Sequence, residues 1–163
     1  MAKVYLALYK GRKTIKTPKD LAFRIVEWVI RKVTGGQYSH CEIAVPVAFS
    51  DGLFDCYSSS FRDGGVRCKR MPLPADKWDL IPLPKSVAIS ASRLFHRTYG
   101  AGYDWLGAIG VVLKSPHSKS RWFCSEWCAY VIGYTNPCRY SPQTLYAAVS
   151  TKDRPSEKME ETK

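Results

Sequence analysis

The stretch Trp122-Phe123-Cys124-Ser125-Glu126-Trp127-Cys128-Ala129-Tyr130-Val131-Ile132 decides how the rest of the chain is read. It describes a loop turning into a mostly buried helix, with a cysteine in the first turn. The first-turn N–H groups of a helix have no partners within it, and together with the macrodipole they favour a thiolate over a thiol. Cys124 is therefore the candidate nucleophile. The plain alternative is that cysteine is a common core residue, and position alone does not separate the two.

A thiol nucleophile needs a base to take its proton and a group to orient that base. Three histidines compete for the role. His96, in Ser92-Arg93-Leu94-Phe95-His96-Arg97, sits between arginines that oppose its protonation. His117, in Lys114-Ser115-Pro116-His117-Ser118-Lys119, belongs to a cationic turn. His40 instead opens a β-type run, His40-Cys41-Glu42-Ile43-Ala44-Val45, shortly after Gly35-Gly36. Residues two apart on a strand face the same way, so His40 and Glu42 share a face. A carboxylate there holds the imidazole tautomer and stabilises the imidazolium. Glu42 is the candidate third residue, with Ser58, Ser60 and Asp63 on the following segment as rivals.

A strand opening on Ser39-His40, followed much later by an aromatic-flanked Cys124-Ser125-Glu126 at a helix head, resembles the papain-fold hydrolases of the NlpC superfamily. Here the histidine strand precedes the cysteine helix, the reverse of most members. That order resembles the circularly permuted branch that includes lecithin:retinol acyltransferase and the YiiX-type bacterial proteins. The motifs are short, and their order and separation span roughly residues 36–134. The resemblance implies an α+β, papain-like fold of the permuted NlpC type: an antiparallel sheet packed against helices, with the cysteine at the N-terminus of a buried helix. It maps Cys124 onto the nucleophile and His40 onto the base, and implies a cysteine peptidase or amidase that cuts a peptide-type amide bond through a thioester. A lipid or thioester acyltransferase would use the same Cys–His pair. Tyr38, Ser60, Tyr103 and Trp122 are the candidate substrate-binding residues, although large aromatics usually belong to a core.

The composition agrees with an ordinary folded domain. With 163 residues, 45% hydrophobic and 13% aromatic, one domain over residues 1–150 has room for a real core. The six cysteines form no CxxC pair and no His–Cys cluster with zinc spacing, so neither a metal nor another cofactor is expected. The first apolar run is too short and too soon basic for a signal peptide, and no stretch is long enough to span a bilayer, so a cytoplasmic protein is expected. Peptidoglycan as a substrate would then need a phage holin or a secretion system to deliver the enzyme. The net charge of +11 is uneven: Lys10-Gly11-Arg12-Lys13-Thr14-Ile15-Lys16-Thr17-Pro18-Lys19 carries five bases and no acid. Such a loop attracts phosphates, anionic head groups or an acidic protein. Without interleaved aromatics or a nucleic-acid-binding motif, nucleic acid is not the expected partner. A non-catalytic papain-fold module binding an anionic ligand or partner through this loop is the alternative from another class.

Local signals place the remaining elements. Val4–Tyr9 reads as a first strand. Thr17 as N-cap, Pro18 at the first helical position and Asp20 at the third start a helix that stops at Gly35-Gly36. Its polar residues Asp20, Arg24, Glu27 and Arg31 form one narrow stripe, which predicts a helix largely buried against a sheet; an amphipathic helix on a membrane surface is the alternative, but basic residues do not dominate the stripe. Leu53–Ser58, Val66–Lys69 and Trp78–Ile81 read as strands, with a polar, glycine-ended loop from Ser58 to Gly65 that can line a groove. Helices are expected from Ser86 to Arg97, in the apolar stretch Gly102–Leu113, and after the Ser141-Pro142 cap. The last residues, 151–163, read as a mobile charged tail.

Overall fold

The computed structural model describes residues 3–12, 15, 17–104 and 120–151. His117, most of the apolar stretch after Tyr103, three residues of the basic loop and nearly all of the C-terminal tail lie outside the described residues. The rest is an α+β protein built on one mixed sheet. The strands are β1 (Val4–Tyr9), β2 (His40–Pro46), β3 (Leu53–Ser60), β4 (Gly65–Pro72), β5 (Trp78–Leu83), β6 (Gly102–Tyr103) and β7 (Arg121–Trp122). Their order across the sheet is β5-β1-β2-β3-β4-β6-β7. Every neighbouring pair is antiparallel except β6 and β7, which run parallel. The expected wholly antiparallel sheet is thus corrected at one edge, where the chain leaves through Gly102-Tyr103 and re-enters through Arg121-Trp122 in the same direction. β5, which contains Pro82, lies at the other edge, the position in a sheet where a proline is best tolerated.

Alternation along the strands separates two faces. Val4, Leu6 and Leu8 join Cys41, Ile43 and Val66 in a core that also holds the helices α2 (Ser86–Thr98), α3 (Cys124–Ile132) and α4 (Pro142–Ser150) through Val87, Leu94, Trp127, Cys128 and Leu145. The opposite face carries small residues, Ala7, Ala44 and Cys56, with larger apolar side chains around them. A one-residue slip of β2 would exchange these faces, so the pairing Ala7↔Glu42 and Tyr9↔His40 fixes which side receives the two functional candidates. α3 is buried almost all round, as its apolar sequence predicts. Trp127 at its centre donates from Nε1 to Thr98 Oγ1 over 3.2 Å. Gly133 ends α3 in the left-handed conformation, φ 95°, with its N–H on the Ala129 carbonyl.

α1 (Pro18–Thr34) begins and ends where the sequence places it. Thr17 and Asp20 close a reciprocal capping box, and Gly35 terminates the helix at φ 62°. Its expected burial against the sheet is corrected, since none of its residues is buried. The apolar residues occupy two sides of the cylinder. Phe23, Val26 and Ile30 roof a cavity, while Leu21, Ile25, Trp28 and Val33 face outward and stay exposed. Polar anchors hold α1 in place: Arg31 donates to Gly11 O over 2.7 Å and to Ser39 Oγ over 3.0 Å, Arg62 pairs with Glu27, and Phe61 packs edge-on against Phe23.

Gly65, where β4 begins after the turn from β3, is where β6 is attached. A Cβ there would lie 2.0 Å from the Ala101 carbonyl oxygen, and φ is 157°. Gly65→Ala must push β6 away from β4. The expected result is a loss of about 1–3 kcal/mol, read as a lower urea midpoint with an unchanged slope. Among the described residues, no helix is long and apolar enough to cross a membrane.

Candidate active site

The start of β2 and the start of α3 meet at one end of the sheet. α3 opens at Cys124, and its N-cap, Phe123, has no side-chain acceptor to offer the first-turn N–H groups. Glu126 accepts the Phe123 N–H instead, over 3.4 Å. Burial pushes the Glu126 carboxyl up to about 8, with Asp104 nearby adding to the effect against the Phe123 N–H, so near neutral pH it is largely uncharged.

Cys124 is buried, and its environment favours the thiolate. A hydrogen bond from the Cys41 thiol, opposed by burial and reinforced by the charge and hydrogen bond of His40, holds Cys124 well below the ordinary thiol value. Cys41 moves the other way, since burial keeps it protonated and able to donate. Burial opposes the His40 charge, yet the Cys124 thiolate and the Glu42 carboxylate hold the imidazolium up to about 10. The two shifts run in the directions that favour a Cys124 thiolate facing a His40 imidazolium.

His40 Nε2 lies 3.0 Å from Glu42 Oε1. Glu42 is only 1% exposed, and an isolated carboxylate there would be costly. Arg67, on β4, supplies the compensation with a two-pronged contact: Nη1 donates to Oε2 and Nη2 to Oε1, each over 2.8 Å. Burial alone would raise the Glu42 pKa; Arg67 and His40 together pull it down to about 2. Arg67 is fixed in turn by Asp63 Oδ2 at 3.0 Å and the Cys56 carbonyl at 3.0 Å. The line Cys124, His40, Glu42, Arg67, Asp63 crosses α3, β2, β4 and the turn before β4.

Comparison with known proteins gives no match: no family model, no curated protein and no solved structure matches this chain. Its chemistry is read from its own geometry.

Two cavities flank the pair. A cavity of about 370 Å³ opens on His40 and Glu42 beneath α1, lined by Tyr9, Phe23, Phe61, Trp78 and Tyr103, with Ser60, Arg62 and Lys69 among its polar groups. A second, of about 10 Å³, is lined by Cys124, Ser125, Tyr103 and Ser141. Tyr103 belongs to both. Among the described residues, the buried Ser125 hydroxyl has no hydrogen-bond partner, and this small polar space is about one water in size.

The structure brings His40, Glu42 and Cys124 together and puts Ser60 and Tyr103 on the cavities. It places Tyr38 and Trp122 elsewhere. The Tyr38 hydroxyl donates to Asp79 Oδ2 over 2.7 Å, which ties its ring into the sheet edge, and Trp122 packs edge-on against Tyr130 at 5.6 Å. Both line neither cavity. Of the rivals for the third position, Ser58 donates to the Cys41 carbonyl over 2.8 Å, and Asp63 reaches Arg67, one step behind Glu42. His96 sits exposed on the last turn of α2.

The residue that sequence reasoning misses is Arg67. Its only signal is a charge inside the short run Val66-Arg67-Cys68-Lys69, and its partner becomes visible only when β2, β3 and β4 are placed in register. All six cysteines are free. Among the described residues, no group of three or more His, Cys, Asp or Glu is placed to hold a metal ion.

Proposed function

We propose that the protein is a cysteine hydrolase of the amidase or peptidase type, on a papain-like fold of the permuted NlpC kind. The observation that carries this reading is Cys124, buried at the head of α3 where the charge of half-buried His40 favours its thiolate, with His40 Nε2 held 3.0 Å from Glu42 Oε1. In the mechanism, the Cys124 thiolate adds to an acyl carbon, forming the S–C bond as the carbonyl π electrons move to oxygen. The oxyanion is met by the Cys124 backbone N–H at the open helix start. Collapse expels the amine, which takes its proton from His40, and leaves a thioester on Cys124. Neutral His40 then activates water, which displaces the thiolate and releases the acid. Glu42 holds the imidazole orientation in every step, and Arg67 keeps Glu42 ionised.

A second reading, acyl transfer from a lipid or thioester by the same pair, is favoured by one observation. The 370 Å³ cavity beside His40 is lined largely by apolar and aromatic side chains. The two readings share the acyl-enzyme and differ in the acceptor. Incubation with p-nitrophenyl esters and with peptide p-nitroanilides, followed by mass spectrometry of acid-quenched protein, tests them together. The expected result is a single acyl adduct on Cys124 that is absent from Cys124→Ser. Release of nitroaniline favours the amidase, and acceptance of long-chain esters alone favours the acyltransferase. No adduct from either class would overturn both and leave the non-catalytic binding module.

A further inference from the structure

Among the described residues, nothing packs over the outward face of α1. Leu21, Ile25 and Trp28 are 47%, 53% and 62% exposed. Their spacing of four and three residues puts them in one line along the helix. Solvent-facing side chains of this size in a continuous strip mark an interaction surface.

The charges beside the strip have mostly one sign. A groove of about 750 Å³ runs along its flank, lined by Arg12, Arg24, Arg31 and Lys32 together with Trp28 and Lys10. Lys10 is neutralised by Asp79. Two carboxylates reach the groove, Glu27 and Asp76, and Glu27 is paired with Arg62. Arg12 and Lys32 are exposed there, and the groove lining as a whole carries more cations than carboxylates, on a chain whose net charge is +11.

We propose that α1 is an interfacial helix that docks the protein on an anionic lipid surface, with Leu21, Ile25 and Trp28 entering the acyl boundary and the groove cations meeting lipid phosphates. Both halves of the surface are then used. The apolar strip leaves water, and the cations beside it lie at head-group depth, where an indole is also at home. An acidic peptide in the groove would neutralise the cations and leave the strip wet. A second copy packed strip to strip would bring two cationic grooves together, a like-charge contact at a two-fold interface. The inner side of the same helix roofs the cavity on which His40 opens, so docking carries that cavity to the lipid surface. The docking itself does not depend on cysteine chemistry.

Vesicle co-sedimentation tests it. The probes are vesicles of phosphatidylcholine alone and of three parts phosphatidylcholine to one part phosphatidylglycerol. The protein is expected to bind the mixed vesicles, to bind the neutral ones about tenfold more weakly or worse, and to be released by salt. Trp28→Glu and Ile25→Glu each lower binding to the mixed vesicles by about tenfold or more. Both positions are exposed, and an unchanged thermal melt, or the milder Trp28→Ser, separates this loss from misfolding. Arg12→Glu with Lys32→Glu lowers binding to the mixed vesicles only. Cys124→Ser binds like the unaltered chain, so docking is scored independently of the proposed hydrolysis. Failure to bind mixed vesicles, or undiminished binding of Trp28→Glu, overturns the proposal. So does light scattering that shows a dimer which Trp28→Glu dissociates, because a second copy would then own the strip.

Discussion

Replacing Arg67 with Met lowers stability by about 3–5 kcal/mol at neutral pH, because it strands the buried Glu42 carboxylate without its principal counter-charge. In a chain of this size that is a fall of roughly 10 °C in melting temperature. Methionine nearly fills the volume of the arginine stem, so the loss reports the charge and not a cavity. The double variant Arg67→Met with Glu42→Gln should recover much of the loss, since a neutral amide needs no cation; urea denaturation of the single and double variants measures the coupling. The pH dependence has a defined sign. The folded-state pKa of Glu42, about 2, lies below that of an unfolded glutamate, so its contribution is present above about pH 4.5 and is lost as the pH falls towards 2. Arg67→Met should flatten that acid limb. An unchanged acid limb and midpoint would mean that the two-pronged contact is not what holds Glu42 ionised.

Replacing His40 with Asn slows acylation of Cys124 by about 10²–10⁴-fold near pH 6. Two effects combine. The thiolate loses the cation that faces it, and the leaving group loses its proton donor. The remaining hydrogen bond from Cys41 and the helix head keep part of the thiolate character, so the variant is expected to regain rate as the pH rises above the unperturbed thiol value of ~8.5. Glu42→Gln should fall between the two. It keeps a hydrogen-bond acceptor for His40 and removes the charge that supports the imidazolium. Stopped-flow release of p-nitrophenol from an activated ester follows both variants.

Much of the site is legible in local sequence because it depends on local rules. The alternation of a strand puts His40 and Glu42 on one side, and a loop turning into an apolar helix puts Cys124 at a helix head. The capping residues of α1 and α4, Thr17 and Ser141, are equally local, and both helices begin one residue later. What is not legible depends on placement. Arg67 has no visible partner until three strands are in register. Tyr38 precedes β2, yet its long ring reaches over the sheet edge to Asp79. Trp122 is two residues from Cys124 but sits on the other side of the strand-to-helix turn, against Tyr130. The burial of α1 is misread for a different reason. Its narrow polar stripe leaves apolar residues on two sides, and hydrophobic count cannot say that one side roofs a cavity while the other meets solvent.

The proposed chemistry rests on Cys124 and His40 forming a thiolate–imidazolium pair. The most direct measurement is the pH dependence of Cys124 alkylation by iodoacetamide, read by peptide mass spectrometry, in the unaltered chain and in His40→Asn. Cys124 is expected to stay reactive well below pH 8.5, while the buried Cys56 does not, since burial pushes that thiol far above its usual value, and His40→Asn is expected to move the Cys124 profile upward. A Cys124 that titrates like an ordinary thiol in both proteins would contradict it.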